Sequence, residues 1–174
     1  PMNTAATTIS RYPMPALAVR LSQLIEKHAE DLSRELSEKV WSAPQCSDLR
    51  KVPSDELEAR TREIYRNLSD WLLHKTEDQL ARRYTELGAT RVQQGVGYSH
   101  FLWAITATKE HVRAFIDREG LADNAMELNG KLELLQMLDH FFDRALYYAA
   151  VGYDQERNRV GSQNRRRKSD HQAL

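Results

Sequence analysis

Residues 86–101 read ELGATRVQQGVGYSHF and make a polar elbow between two helical patterns. Gly95 and Gly97 tolerate the positive φ at which helices commonly end, so the first helix is predicted to stop there. Apolar residues recur at steps of three and four on both sides: Leu80, Tyr84 and Leu87 before the elbow, and Tyr98, Phe101, Leu102 and Ile105 after it. The stretch therefore predicts two helices joined by a tight corner.

The helical period continues outward through most of the chain. It predicts a helix from about residue 15 to 42, and Ser54 with Asp55 and Glu56 provides the N-cap and acidic first turn of the next. The last helix is predicted over about residues 126–160, with one apolar stripe: Leu128, Leu132, Leu135, Leu138, Phe142, Ala145, Leu146, Ala149 and Tyr153. Strand-like alternation is absent from the sequence. We therefore expect an all-α domain of about five long helices, starting near residues 15, 54, 76, 98 and 126.

Composition limits the classes of function. The chain has 174 residues with 25 basic and 25 acidic side chains, which indicates one domain and no specific nucleic-acid binding. The single cysteine, Cys46, favours a reducing compartment, and no apolar run approaches the roughly 18 residues of a membrane span. We expect a cytoplasmic protein with no membrane partner. Residues 1–14 are predicted to be flexible, residues 15–160 to form the domain, and residues 161–174 to be a basic disordered tail or linker.

No constellation of residues predicts catalysis or a metal site. His28 lies in the apolar stripe of the first helix, where a buried histidine satisfied by one polar partner is expected. His100, His111 and His140 fall away from the apolar stripes and are predicted to face solvent. Cys46 lies in a proline-bounded loop with no histidine nearby in sequence. The sequence therefore predicts a protein that is not an enzyme and needs no cofactor.

A small pocket is predicted around the elbow. Tyr84 and Phe101 flank it, and aromatic residues at helical spacing more often form core than a ligand site. Together with Arg91 they are predicted to line a polar-edged cavity whose ligand, if any, is unknown. We expect Arg91 to be at least partly buried and paired with a carboxylate or a backbone carbonyl, because an unpaired buried guanidinium is too costly to keep.

The elbow and its surroundings resemble a known family, the N-terminal sensor domain of RsbR-type stressosome co-antagonists, which also stands at the front of some bacterial sensor kinases. The residues that carry the resemblance are RYTELGATRVQQGVGYSHFLWAI (83–105), LIEKHAEDLSRELSEKVW (24–41) and ALYYAAVGYDQE (145–156). The resemblance covers about residues 17–155 and is most specific at Leu87-Gly88, Arg91 and Gly95-Val96. It implies a globin-like, dimeric, non-haem domain that passes a state to an output domain or a partner protein through its last helix.

Haem-binding globin-coupled sensors are similar over the same elbow, with a His-x-Arg-x-Gly pattern whose histidine ligates the iron. In that register Arg91 stands where the histidine would be and Gln93 where the arginine would be. A guanidinium does not coordinate a metal, so the resemblance implies an input domain without haem. A haem-binding gas or redox sensor that uses another histidine is the alternative.

A homodimer is predicted from helices that carry apolar or aromatic residues on more than one face. Met137, Phe141 and Tyr148 lie beside the main stripe of the last helix, and Trp103 stands off the stripe of the helix before it. We expect these four residues to meet their two-fold mates in a four-helix contact.

Overall fold

The computed structural model describes the backbone of residues 16–172 and the side chains of residues 16–167. Within these limits the chain is all-α, as predicted, and has no strand. Its elements are α1 (Ala16–Lys27), α2 (Ala29–Ser42), a 3₁₀ helix (Pro44–Lys51), α3 (Ser54–Arg66), α4 (Leu68–Leu73), α5 (Glu77–Gln93), α6 (Tyr98–Glu119) and α7 (Ala125–Gln172). The predicted flexible segment 1–14 lies outside the described residues.

Two of the five predicted helices are each divided in two. His28, with φ of −97° and ψ of 15°, separates α1 from α2, and Asn67, with φ of −116° and ψ of 23°, separates α3 from α4. Backbone hydrogen bonding continues across both breaks, since the His28 carbonyl still accepts from the amide of Leu32 at 3.0 Å. The apolar period survives such a bend, which is why periodicity alone does not detect it.

The predicted loop after α2 is an ordered 3₁₀ helix. Pro44 begins it, and Cys46 inside it is fully buried. The Cys46 thiol donates to the carbonyl oxygen of Val40 at 2.9 Å, and burial raises the pKa of this thiol. Cys46 is thus a packed, hydrogen-bonded part of the core, and its raised pKa works against use as a nucleophile.

Helix α5 begins at a capping box and packs along α7. The hydroxyl of Thr76 accepts from the amide of Gln79 at 3.3 Å, and the Gln79 side-chain oxygen accepts from the amide of Thr76 at 2.9 Å. These two bonds satisfy amide groups that the first turn would otherwise leave unpaired. The start of α5 near residue 76 is therefore as predicted.

Helix α7 differs from its prediction at both ends. Leu128 and Leu132, assigned to the core stripe, are about half exposed, with relative exposures of 50% and 49%. The first large side chain of α7 that is buried is Leu134, because neighbouring helices cover only the part of α7 that follows it. At the other end the helix continues through residues 161–172, where a disordered tail or linker was predicted; within this stretch Arg165 to Lys168 have high helix propensity. No helix within residues 16–172 combines the length and apolar character needed to cross a membrane.

Candidate functional site

The elbow positions a buried arginine between three helices. Arg91, in the last turn of α5, has only 4% of its side chain exposed, and its Nη1 donates to Glu56 Oε1 of α3 at 3.0 Å. Gln94 completes the group: its side-chain oxygen accepts from Arg91 at 2.5 Å and its Nε2 donates to Glu56 Oε2 at 3.0 Å. The predicted burial of Arg91 and its pairing with a carboxylate are both present.

Glu56 and Arg91 stabilise each other in their charged forms. Burial alone would raise the pKa of Glu56, but hydrogen bonds from Arg91 and Arg60 outweigh it, so the pKa is lowered. Burial lowers the pKa of Arg91, and the bond to Glu56 opposes that shift. The Arg60 Nε lies 3.3 Å from Glu56 Oε1, so the carboxylate serves two cations. At neutral pH the pair is ionised on both sides.

The 3₁₀ helix holds the corner of the elbow. Gly95, whose φ is +73°, makes the turn, and its carbonyl accepts from Lys51 Nζ at 3.0 Å. Asp48 Oδ2 accepts from the amide of Gly97 at 2.9 Å, while the Asp48 amide donates to His100 Nδ1 at 3.0 Å. Only a residue that tolerates positive φ without strain fits position 95. These bonds fix the start of α6 against the segment that follows α2.

Helices α5 and α7 approach each other through glycine. A Cβ built on Gly152 of α7 would lie 1.9 Å from the carbonyl oxygen of Thr85, and one built on Gly88 of α5 would lie 2.1 Å from that of Ala149. Both distances are far below contact, so the two backbones touch where these glycines lie. Gly88, one of the residues that carry the family resemblance, thus serves close helix packing.

Polar bonds extend the same contact toward the end of the domain. Gln93 Nε2 donates to Glu156 Oε1 at 3.1 Å, and Arg159 donates to both oxygens of that carboxylate at 2.7 and 2.6 Å. The bonds from Arg159 and Gln93 lower the pKa of Glu156 to about 2. The Tyr153 hydroxyl donates to the carbonyl of Val96 at 2.8 Å. The elbow is thus tied directly to α7.

A cavity of about 90 Å³ lies beside Arg91. The predicted pocket residues Tyr84, Arg91 and Phe101 all line it. The remaining lining comes from several helices: Leu36, Ser37, Val40, Leu49, Leu57, Arg60, Thr61, Ile64, Leu87, Ala104, Ile105, Thr108 and Phe142. Pockets for drug-sized ligands are roughly 300–1,000 Å³, so this one suits a much smaller molecule.

Two of the histidine predictions need correction. His111 and His100 were predicted to face solvent, but only 14% and 29% of their side chains are exposed. His111 Nδ1 is 2.7 Å from the hydroxyl of Tyr65 and its Nε2 is 3.3 Å from Glu35 Oε2, so it joins α3, α6 and α2. The reason is that the 3₁₀ helix and α3 cover the face of α6 that the period left to solvent. His140 is exposed, as predicted.

His28 lies at the bend between α1 and α2, half-buried, with its ring 6.3 Å from that of Phe115. No histidine lines the cavity, and the side chain at the predicted ligand position, Arg91, is bound to Glu56. Among residues whose side chains are described, no group of three or more His, Cys, Asp or Glu is arranged to hold a metal ion. This geometry does not favour the haem-sensor alternative.

The four residues predicted for a dimer contact occupy different places. Phe141 is 3% exposed and packs on Trp71 and Tyr84 at ring distances of 5.9 and 6.0 Å, so it belongs to the core of its own chain. Three others are half-buried at the edge of the core: Trp103, Met137 and Tyr148. The Tyr148 hydroxyl donates to Glu77 Oε1 at 2.6 Å.

Sequence reasoning missed the partners of the elbow. Glu56 was noted only as part of an acidic first turn, and Asp48 and Glu156 were not singled out. A carboxylate in a predicted surface helix gives no signal that it faces a buried cation 35 residues away along the chain. Glu156 carried a weak signal, since it lies in the last of the three segments that supported the family resemblance.

One protein family matches most of the chain. The model of the RsbT co-antagonist protein rsbRD N-terminal domain covers residues 22–168, which confirms the family predicted from the elbow. The comparisons with curated proteins and with solved structures give no match.

Proposed function

The chain belongs to the RsbT co-antagonist protein rsbRD N-terminal domain family, a family of stressosome-type signalling regulators, and from this membership we propose that it is a non-catalytic input domain. In this proposal residues 15–160 form a globin-like sensory domain in the cytoplasm. The domain receives a signal near the elbow and passes a state to an output domain or partner protein. The route is helix α7, in a homodimer.

The contact between α5 and α7 is the observation that supports this route best. Gly88 and Gly152 leave no space between the two backbones, so a shift of α5 moves α7. Packed interfaces of this kind are displaced as units because the interior is dense. The bonds from Gln93 to Glu156 and from Tyr153 to Val96 add two further links between elbow and helix.

The far part of α7 is suited to deliver the state. Residues 162–167 are exposed, and they include three consecutive arginines, Arg165 to Arg167. Because α7 is one continuous helix, a rotation or translation of its packed part also moves the part that extends beyond the packed helices. An acidic surface on an output domain or partner would find complementary charge there.

The homodimer is proposed through α6 and α7, with Phe141 removed from the predicted contact. Exposed apolar side chains on α7 support a second neighbour: Leu128, Leu132 and Tyr147, the last with 59% exposure. The half-buried Trp103 of α6 and Met137 of α7 complete the predicted surface. A two-fold contact would bring both copies of α7 together, so that a change in their crossing reaches whatever they contact.

Spin labels on α7 test both parts of the proposal. Ser162 is exposed, so Ser162→Cys in a Cys46→Ser background gives one label on each copy. We expect a dipolar coupling between the two labels, and a changed distance distribution when Gln93→Ala removes the bond to Glu156. Thr90→Ala is the matched control, because the Thr90 hydroxyl bonds only to the Glu86 carbonyl within α5.

Absence of coupling at high protein concentration would remove the homodimer. A distance distribution that Gln93→Ala leaves unchanged, with the dimer intact, would remove α7 as the route from the elbow.

A further inference from the structure

One polar atom on the cavity wall has no partner. The hydroxyl oxygen of Ser37, on α2, is shielded from solvent and makes no hydrogen bond with any residue whose side chain the structure describes. The two threonine hydroxyls in the lining are satisfied: Thr61 donates to the carbonyl of Leu57 at 2.8 Å, and Thr108 donates to that of Ala104 at 2.8 Å. A buried hydroxyl without a partner costs free energy, so a ligand that forms a hydrogen bond with Ser37 would recover that cost.

The rest of the wall is mostly apolar, and its two arginines are already paired with Glu56. Arg91 is held by Glu56 and Gln94, and Arg60 lies on the same carboxylate. A charged ligand would have to break this group or enter without a counter-ion, and both are unfavourable. The wall therefore favours an uncharged molecule.

A surface groove of about 310 Å³ adjoins the cavity. Ser37 and Leu57 line both the groove and the cavity, so they form the boundary between them. Trp41 lies in the groove wall together with Arg34, Glu38, Ser42, Ser54 and Glu58. A molecule from solvent would have to pass this boundary with its apolar part leading, and its polar group would then lie beside Ser37.

We propose that this cavity binds a small uncharged molecule whose apolar part fills the space beside Tyr84 and Phe101 and whose single hydroxyl or carbonyl group bonds to Ser37. A cavity of about 150 Å³ holds the six carbons of benzene, so the 90 Å³ here suits an apolar group of about four carbons. The inference deepens the proposed function, on which it rests, because the bound molecule would be the signal that the domain receives.

Three four-carbon rings probe the site: cyclobutanol, methylcyclobutane and cyclobutanecarboxylate. They have similar shapes and differ in one group, which is a hydroxyl, a methyl or a charged carboxylate. Titration of isotope-labelled protein, followed through the backbone amide signals of Ser37 and Leu57, measures binding of each. We expect cyclobutanol to bind more tightly than methylcyclobutane, and cyclobutanecarboxylate to bind more weakly than both.

Variants assign the preference to one atom. Ser37→Ala should weaken cyclobutanol binding by about 3- to 10-fold, the loss expected for one hydrogen bond, and leave methylcyclobutane binding unchanged. Ser42→Ala is the matched control, since Ser42 lies on the same helix and in the groove but its hydroxyl already bonds to the Glu38 carbonyl. Ala104→Leu should fill the cavity and abolish binding of both neutral rings.

The inference is overturned if none of the rings binds, if the carboxylate binds best, or if Ser37→Ala and Ser42→Ala have equal effects. Because binding is measured at Ser37 and signal transfer at residue 162, the two proposals fail separately. Loss of binding with the α7 distance response intact removes only the ligand class, and the reverse result removes only the route through α7.

Discussion

Removing Glu56 should destabilise the protein more than removing its partner Arg91. Glu56→Ala leaves the Arg91 guanidinium, 4% exposed, with the Gln94 side-chain oxygen as its only recorded partner among the described side chains. Breaking a buried ion pair so that one charge is left behind costs about 3–5 kcal/mol. We expect Glu56→Ala to fall in that range.

Arg91→Met should cost less, roughly 1–3 kcal/mol, although it removes the more deeply buried residue. The Glu56 carboxylate left behind is 30% exposed and keeps Arg60 at 3.3 Å and the Gln94 amide at 3.0 Å. Methionine also fills much of the space of the arginine stem. The double variant should cost less than the sum of the two single variants, because no unpaired charge remains.

Urea denaturation followed by far-UV circular dichroism measures these differences. With a slope of about 2 kcal/mol/M, a loss of about 3–5 kcal/mol moves the midpoint by about 1.5–2.5 M. Glu58→Ala is the matched control: it lies on the same helix, pairs with Arg62 at 2.5 Å and is 43% exposed, so its loss should cost below about 1 kcal/mol. A Glu56→Ala midpoint equal to that of Glu58→Ala, or a larger loss for Arg91→Met, would refute this reasoning.

Three other outcomes are expected. Gly152→Ala should lower the free energy of unfolding by about 3 kcal/mol or more, because its Cβ would overlap the Thr85 carbonyl. Gly161→Ala is the control: the space around it is open, so it should be neutral or raise the free energy of unfolding by up to about 1 kcal/mol. Thermal and urea unfolding measure both variants. Burial lowers the pKa of His111, so the unfolded chain binds a proton at this residue more strongly than the folded chain does. The free energy of unfolding should therefore fall as the pH drops through about 6.5. It should depend less on pH in His111→Gln, and an equal pH dependence in the two proteins would contradict the lowered pKa of His111. Trp103→Glu should split the proposed homodimer in light scattering without loss of helical signal. Leu121→Glu, at a residue 75% exposed between α6 and α7, should not, and equal masses for the two variants would remove Trp103 from the contact.

The elbow shows how much the order of residues determines by itself. Apolar steps of three and four predicted an all-α chain, and the glycines at 95 and 97 predicted the corner between α5 and α6, because both follow from local backbone preferences. The burial of Arg91 followed from its place between apolar neighbours. The family followed from the same residues.

Tertiary packing decided what these residues contact. Three pairs join segments that are distant in sequence: Arg91 with Glu56, Gly97 with Asp48, and Gln93 with Glu156. Local backbone preferences do not predict which distant segments come together. The same cause placed Phe141 in the core and left Leu132 exposed, since a helical period defines a face but not the neighbour that covers it. The cavity beside Ser37 exists only because six helical segments together leave one space unfilled, and the sequence of a single segment does not predict such a space.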